Sequence, residues 1–401
     1  MPQAREFVFG RWRAVSVLGV TQIITWGVLF YPPVLTMPLI AADRGWSISF
    51  AMGGFSLALF VGGLVAPRVG ALIDRYGGHV VMPVGSLIAA VGVVALPYAA
   101  HPAAYLGVWM LLGVAMAAQL YDAAFATLGR IFGAAARQPI TILTLAGGFA
   151  STVGWPAARI LLDTVGWRGT YLAYAAVLVL VAAPLHAFAL PRVRAVAETR
   201  LDGKAQTSSS VVPASGLTFI LVATAFGAYA FVPSGLSAHL LAIFGRAGID
   251  AATVVTIGAL FGPSQVAARL CEFFFARNLH PLMMVRGAVT LLVCAFAMLI
   301  VFGVSLPTAT AFAIMFGMAN GLFTIGRGTV PLVLFGPNGY GRVVGRLAGP
   351  WLLMQSVAPL ALAFVIERTS DPAALVVAAG FAVLTLLCLL MIRRPPDRDG
   401  V

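Results

Sequence analysis

The chain has 401 residues, of which 61% are hydrophobic and 9% charged, whereas a soluble domain carries about 25% charged residues. With a mean hydropathy of +0.98, the solvent for most of its surface is lipid. The formal net charge of +12 does not indicate a nucleic-acid binder, because the basic residues are scattered between apolar runs and form no single patch.

A helix that crosses the hydrocarbon core needs about 20 apolar residues, and an open sheet edge cannot lie there. On that rule the chain is expected to hold twelve spans, near 14–41, 49–72, 79–99, 104–129, 138–162, 168–190, 215–243, 251–276, 281–303, 307–332, 343–366 and 373–392. Arg5, Arg11 and Arg13 precede the first span. That span is too long for a signal peptide and lacks a small-residue cleavage site, so it is expected to stay uncleaved. Most of the 25 basic residues fall in alternate loops, which predicts an even number of spans and both termini on the cytoplasmic side. Cys271, Cys294 and Cys388 lie in apolar segments at unrelated spacings and make neither a disulfide framework nor a metal motif.

The longest polar stretch, 191–214, is read as a cytoplasmic linker between a first bundle, 1–190, and a second, 215–401. Cutting the chain there exposes an internal repeat. The stretch from Phe30 through Pro32, Leu35, Thr36 and Leu39 to Ala41 aligns with Phe231, Pro233, Leu236, Ser237, Leu240 and Ala242. Further along, Arg75 meets Arg277, Met82 meets Met284 and Gly85 meets Gly287. Prolines at matching places in spans one and seven point to a binding site, with a simple packing kink as the competing reading.

Ionisable groups within a membrane are costly and usually functional. Asp122 in span four and Arg327 in span ten fall at nearly the same depth when the halves are overlaid. If they face one cavity, Arg327 can bind a carboxylate or other anion, while Asp122 exchanges a proton or gates against Arg327; a permanent structural pair is the alternative. Arg269 and Glu272 in span eight are three residues apart and can pair on one face, either to settle two charges or to carry a proton on Glu272. Tyr31, Gln22, Trp26, Gln119, Tyr229, Ser237, His239 and Asn320 are polar or aromatic groups able to line the same cavity. No phosphate-binding loop, metal cluster or Ser-His-Asp arrangement is present, so neither an enzyme nor an ATP-driven pump is expected, and no cofactor is implied.

The turn Gly70-Ala71-Leu72-Ile73-Asp74-Arg75-Tyr76-Gly77-Gly78-His79 lies between spans two and three. With twelve spans, two related halves, a central loop and Gly166-Trp167-Arg168 between spans five and six, it resembles the major facilitator superfamily over almost the whole chain. The resemblance implies an all-α membrane protein with twelve transmembrane helices in two pseudo-symmetric six-helix bundles. It puts Tyr31, Asp122, Tyr229 and Arg327 near a central site. It also makes Gly70, Asp74, Arg75 and Gly77 a gate, with Asp74 held by Arg130 or by the start of span eleven near Arg342 and Arg346. Gly78 and His79 stand where the family loop normally carries basic residues, which predicts either a weaker charge lock or one sensitive to pH near neutrality through His79. The Gly262-Pro263-Ser264-Gln265 and Arg269 pattern is reminiscent of the monocarboxylate-porter branch, with a different order and spacing.

The expected function is secondary active transport of a small molecule, proton-coupled, such as an organic anion of the monocarboxylate kind. Proton-antiport efflux of drugs or of a metalloid is the alternative within transport, and a non-transporting receptor or scaffold is the alternative outside it. The expected setting is a monomer in the bilayer of a bacterial inner membrane, with no nucleic-acid partner.

Overall fold

The computed structural model describes residues 6, 10–192, 216–276 and 278–393. Apart from Pro191 and Arg192, the 191–214 linker lies outside the described residues, as do Arg5, Arg277 and the tail beyond Arg393. Among the described residues every regular element is helical, and ten segments are long and apolar enough to cross a membrane.

One of those segments, Pro102–Ala189, is 88 residues long and carries three spans. It is divided at Gly133 (φ 57°, ψ −130°) and at Gly166 (φ 68°, ψ 176°). Such backbone angles are essentially open to glycine alone, so each of these residues ends a helix. The spans, twelve as expected, are α1 Arg13–Arg44, α2 Ile48–Tyr76, α3 Gly78–Tyr98, α4 102–132, α5 137–165, α6 167–189, α7 Gly216–Arg246, α8 Ala251–Phe275, α9 Pro281–Phe302, α10 Leu306–Phe335, α11 Tyr340–Arg368 and α12 Asp371–Met391.

The chain forms two compact units, Met1–Ala214 with Pro331–Gly349, and Ser215–Val330 with Pro350–Val401. In the first, α2 and α3 both pack on α4, α1 packs on α5, and the foot of α10 and the start of α11 join them. In the second, α7 and α9 both pack on α12. Lipid tails are as apolar as the side chains, so close backbone approach and interhelical hydrogen bonds must drive this packing. A Cβ on Gly113 of α4 would strike the backbone of Ala58 in α2, and one on Gly321 of α10 would meet the Gln265 carbonyl of α8 at 2.5 Å.

Several helix ends are satisfied by side chains. Ser47 accepts from the Phe50 N–H at 3.1 Å and Ser370 from Ala373 at 3.3 Å. Asp250 accepts from Thr253 at 3.0 Å, and its bonds from Thr253 hold its carboxyl below the ordinary carboxylate range. Arginines close C-terminal carbonyls on neighbouring helices, where a cation suits the dipole. Arg44 donates to Leu96 and Pro97 at the end of α3, and Arg286 donates to Leu389 and Ile392 at the end of α12.

Candidate functional site

In the second unit the polar groups of α8 and α10 are gathered by helical spacing. Gln265, Arg269 and Glu272 lie on one face of α8, and Asn320, Phe323 and Arg327 on one face of α10. The close α8–α10 crossing lets them meet. The Asn320 amide donates to Gln265 Oε1 at 3.1 Å, Arg269 donates to the same oxygen at 3.3 Å, and Arg269 Nε donates to the Gly321 carbonyl at 3.3 Å. Arg269, Glu272 and Arg327 are 4%, 3% and 7% exposed, and burial of ionised side chains requires such partners.

Arg327 lies with its guanidinium carbon 4.2 Å from the centroid of the Trp351 ring. A desolvated contact of this kind is worth about 2 kcal/mol. The Tyr229 ring of α7 stacks face to face on Phe323, one turn before Arg327, with centroids 3.5 Å apart, and both rings lie 6.2 Å from Trp351. The Tyr229 hydroxyl is buried and has no hydrogen-bond partner among the described residues. His239, also on α7, bonds instead with the Pro359 carbonyl at 2.9 Å.

In the first unit α1 widens into a π-turn over Trp26–Phe30, just before Pro32 and Pro33. Tyr31 lies 5.7 Å from Phe30, 6.1 Å from Trp26 and 6.0 Å from Trp155 in an aromatic cluster. Helix α4 is interrupted in mid-span. Leu120 is extended (φ −82°, ψ −170°), and a second half-helix, Tyr121–Phe132, starts with Asp122 in its first turn. Asp122 is half-buried among Ala66, Val69 and Gly70 of α2, Ala117 and Ala123 of α4, and Gly345 of α11. Gln119, just before the break, is fully buried; its amide donates to the Met82 carbonyl and accepts from Ser86 Oγ at 3.2 Å. Asp122 and Arg327 belong to different units.

The 70–79 turn has a defined partner. Asp74 Oδ1 accepts from the Gly341 N–H at 2.9 Å and Oδ2 from Arg342 at 2.8 Å. These are the amides left open at the start of α11, and Gly339, which precedes the helix at φ 66°, has no side chain to cap them. A Cβ on Gly70 would collide with the Gly341 carbonyl. Gly77 turns the chain at φ 87°, Arg75 lies over its neighbour Tyr76, and Arg130 donates to the Ile73 carbonyl at the end of α2.

Three features of these sites are not among the residues singled out from sequence. Gly341, Gly345 and Gly349 repeat every fourth residue and face α2 at Gly63, Ala66 and Gly70; the spacing was visible, but nothing in it named the partner helix. Trp351 and Phe323 read as ordinary apolar residues until Arg327 and Tyr229 are placed on them. The break at Leu120 has no glycine or proline to announce it.

The chain matches the Major Facilitator Superfamily over residues 15–345. It is 33% identical over 123 residues to human (Homo sapiens) monocarboxylate transporter 11, which covers 30% of this chain and 26% of that protein. It is 26% identical over 186 residues to mouse (Mus musculus) monocarboxylate transporter 6, covering 44% and 38%. The chain thus aligns with well under half the length of these relatives. Its fold is shared with the human organic anion transporter MFSD10 (TETRAN), at a TM-score of 0.70 and 18% identity over 97% of this chain and 100% of that one. It is also shared with the transporter FucP in the outward conformation, at a TM-score of 0.70 and 12% identity over 95% and 99%. The chain belongs to the major facilitator superfamily.

Proposed function

We propose that the protein is a proton-coupled secondary transporter of a small organic anion, with Arg327 as the anion-binding residue. The observation that carries this reading is the buried guanidinium of Arg327, its carbon 4.2 Å from the centroid of the Trp351 ring. A guanidinium carries five N–H donors in a fixed planar fork, the geometry suited to a carboxylate. Tyr229, whose buried hydroxyl has no hydrogen-bond partner among the described residues, is a second donor to the same substrate. Relatives named as monocarboxylate transporters, and a fold neighbour named as an organic anion transporter, agree with this substrate class.

Asp122 is the proton-carrying group in this proposal, because it is an acid placed in mid-membrane at the start of a half-helix. Arg269 and Glu272 support the coupling in the second unit. Asp74, bonded to the start of α11, serves as the gate, with both chain termini on the cytoplasmic side as the distribution of basic residues favours.

The test is uptake of a panel of carboxylates into proteoliposomes under an imposed pH gradient. Arg327→Ala abolishes uptake, and Arg327→Lys, which keeps the charge but loses the planar donor fork, restores only part of it. Equal uptake by wild type and Arg327→Ala for every transported anion would remove the anion reading. Uptake by Asp122→Asn that still rises with the proton gradient would remove the coupling reading.

A further inference from the structure

We propose that Gln22 is a positioning residue that holds α4 broken at Leu120 and so keeps Asp122 at the start of a separate half-helix. The inference rests on Asp122 being the proton-carrying group.

The break is not written into its own segment. Ala117-Ala118-Gln119-Leu120-Tyr121-Asp122-Ala123-Ala124 contains neither glycine nor proline, and four of these residues are alanine, the strongest helix former. Left alone, this stretch favours an unbroken helix. In the structure the Ala123 and Ala124 N–H groups both donate to the Leu120 carbonyl, at 3.1 and 3.2 Å, and the Gln119 carbonyl accepts from Gln22 Nε2 at 2.7 Å. A carbonyl without a partner is costly in the hydrocarbon region, so the Gln22 amide is what makes the interruption tolerable.

Gln22 is itself oriented. Trp26 Nε1 donates to Gln22 Oε1 at 3.1 Å, one turn further along α1 and at the first residue of the π-turn. Gln119 is tethered on its other side to α3 through Met82 and Ser86, and Ser86 Oγ lies 3.1 Å from His186 Nδ1 on α6. Gln22, Ser86, Gln119 and His186 are all 0% exposed. The broken form is therefore specified by side chains of α1, α3 and α6 acting on a segment that prefers to be continuous.

Two arrangements are then open to α4. In one, Gln22 takes the Gln119 carbonyl. In the other, the helix takes it back through Ala123, and the Gln22 amide must find another acceptor. The hydrogen-bond count differs little between them, as a two-state element requires. The difference falls on Asp122, because the start of a helix presents open N–H groups and the positive end of its dipole to a carboxylate, whereas the interior of a helix presents neither. The charged groups on the segments around Asp122 are Arg68, Asp74 and Arg75 on α2, Arg130 on its own half-helix, and Arg342 and Arg346 in the first two turns of α11.

The test uses the full-length protein in proteoliposomes, with the three native cysteines replaced and spin labels at Met110 and Ile131 on either side of the break. Gln22→Met keeps the volume and removes both hydrogen bonds. It is expected to add a population at the label separation of an unbroken helix, about 32 Å, and to move the midpoint of the uptake–pH profile by half a unit or more with KM changed less than twofold. Gln22→Glu covers the case in which Gln22→Met fails to fold. Its carboxyl, when protonated, can donate to Gln119 as the amide does, so wild-type distances and uptake return at acid pH and are lost at alkaline pH. Unchanged label distances in both variants overturn the proposal. If the distances shift while Asp122→Asn keeps a normal pH dependence, Gln22 still holds the break, and it is the assignment of Asp122 as the proton carrier that fails.

Discussion

Asp43 at the end of α1 and Arg168 at the start of α6 form a two-point ion pair, at 2.6 and 3.1 Å. In the other unit Arg246 at the end of α7 and Asp371 at the start of α12 do the same, both bonds 2.7 Å. The helices correspond between the halves, and the separation in sequence is 125 residues in each case. The charges are exchanged, with the acid on the first helix in one unit and on the last helix in the other. The repeat thus preserves the bond and not the residue, as expected if the ladder position needs a pair and is indifferent to its direction.

This relationship predicts the outcome of a charge exchange. Arg168 and Asp43 are 53% and 32% exposed at the side chain, so the pair is worth at most about 1 kcal/mol. Asp43→Ala or Arg168→Ala should lower the unfolding temperature of the detergent-solubilised protein by no more than a few degrees. Asp43→Arg alone should cost more, because it sets two like charges together. Adding Arg168→Asp should recover most of the loss, reproducing the polarity that the second unit already uses. Failure of the double variant to recover would mean that local packing, and not the pair, fixes the direction.

The contact of Asp74 with the start of α11 gives a kinetic prediction. Removing a capping acceptor costs typically about 1 kcal/mol, and here the cap joins two helices. Asp74→Ala, which deletes both bonds to Gly341 and Arg342, should lower the transport rate several-fold with little change in equilibrium ligand affinity. Asp74→Asn keeps one acceptor oxygen and should fall between it and wild type. Rate and affinity are separated by comparing counterflow with ligand-dependent thermal stabilisation. A large loss of affinity at normal turnover would place Asp74 in binding and not in gating.

Much of this was legible in the sequence because a bilayer leaves few options. Twenty apolar residues must be a helix, so the twelve spans and the turn at Gly77 could be read directly. An acid in a glycine-rich turn needs a partner, so the contact of Asp74 with the start of α11 could be anticipated. What the sequence hides is any property that depends on a second helix. Arg327 lies over Trp351, which no periodicity connects to it. The break at Leu120 contradicts the local alanine-rich propensity and is imposed by Gln22 from α1. Gln119 read as a cavity-lining residue, and in the structure its amide is engaged with α3. Tertiary bonds of this kind outweigh local preference and leave no local mark.

Close approach of α2 and α11 predicts an asymmetry between two glycines of the same helix. A Cβ at Gly70 would lie 2.6 Å from the carbonyl carbon of Gly341, and the backbone there cannot swing aside. Overpacking of this kind costs about 1–3 kcal/mol. Gly70→Ala should therefore lower thermal stability and slow turnover. Gly53, also in α2, has nothing within 4 Å of the added carbon, so Gly53→Ala should be neutral or slightly stabilising through helix propensity. Equal behaviour of the two variants would show that the α2–α11 crossing relaxes at no cost.

Tyr229 offers the sharpest division between packing and function. Its ring stacks on Phe323 at 3.5 Å, and its buried hydroxyl has no partner among the described residues. An unsatisfied buried polar group costs about 1–3 kcal/mol. Tyr229→Phe keeps the ring and removes that cost, so the ligand-free protein should become more stable, by about 1 kcal/mol or more. If the hydroxyl is held for the substrate carboxylate, the same change should raise KM about tenfold, since a hydrogen bond to a charged group is worth about 1.5–3 kcal/mol, while kcat changes little. Measured together, the two effects have opposite signs, as expected where a site gives up stability to keep a donor ready. A gain in stability with unchanged KM for every transported anion would make Tyr229 a packing residue. A loss of stability would mean that the hydroxyl is bonded in the resting protein after all, and would remove it from the substrate site.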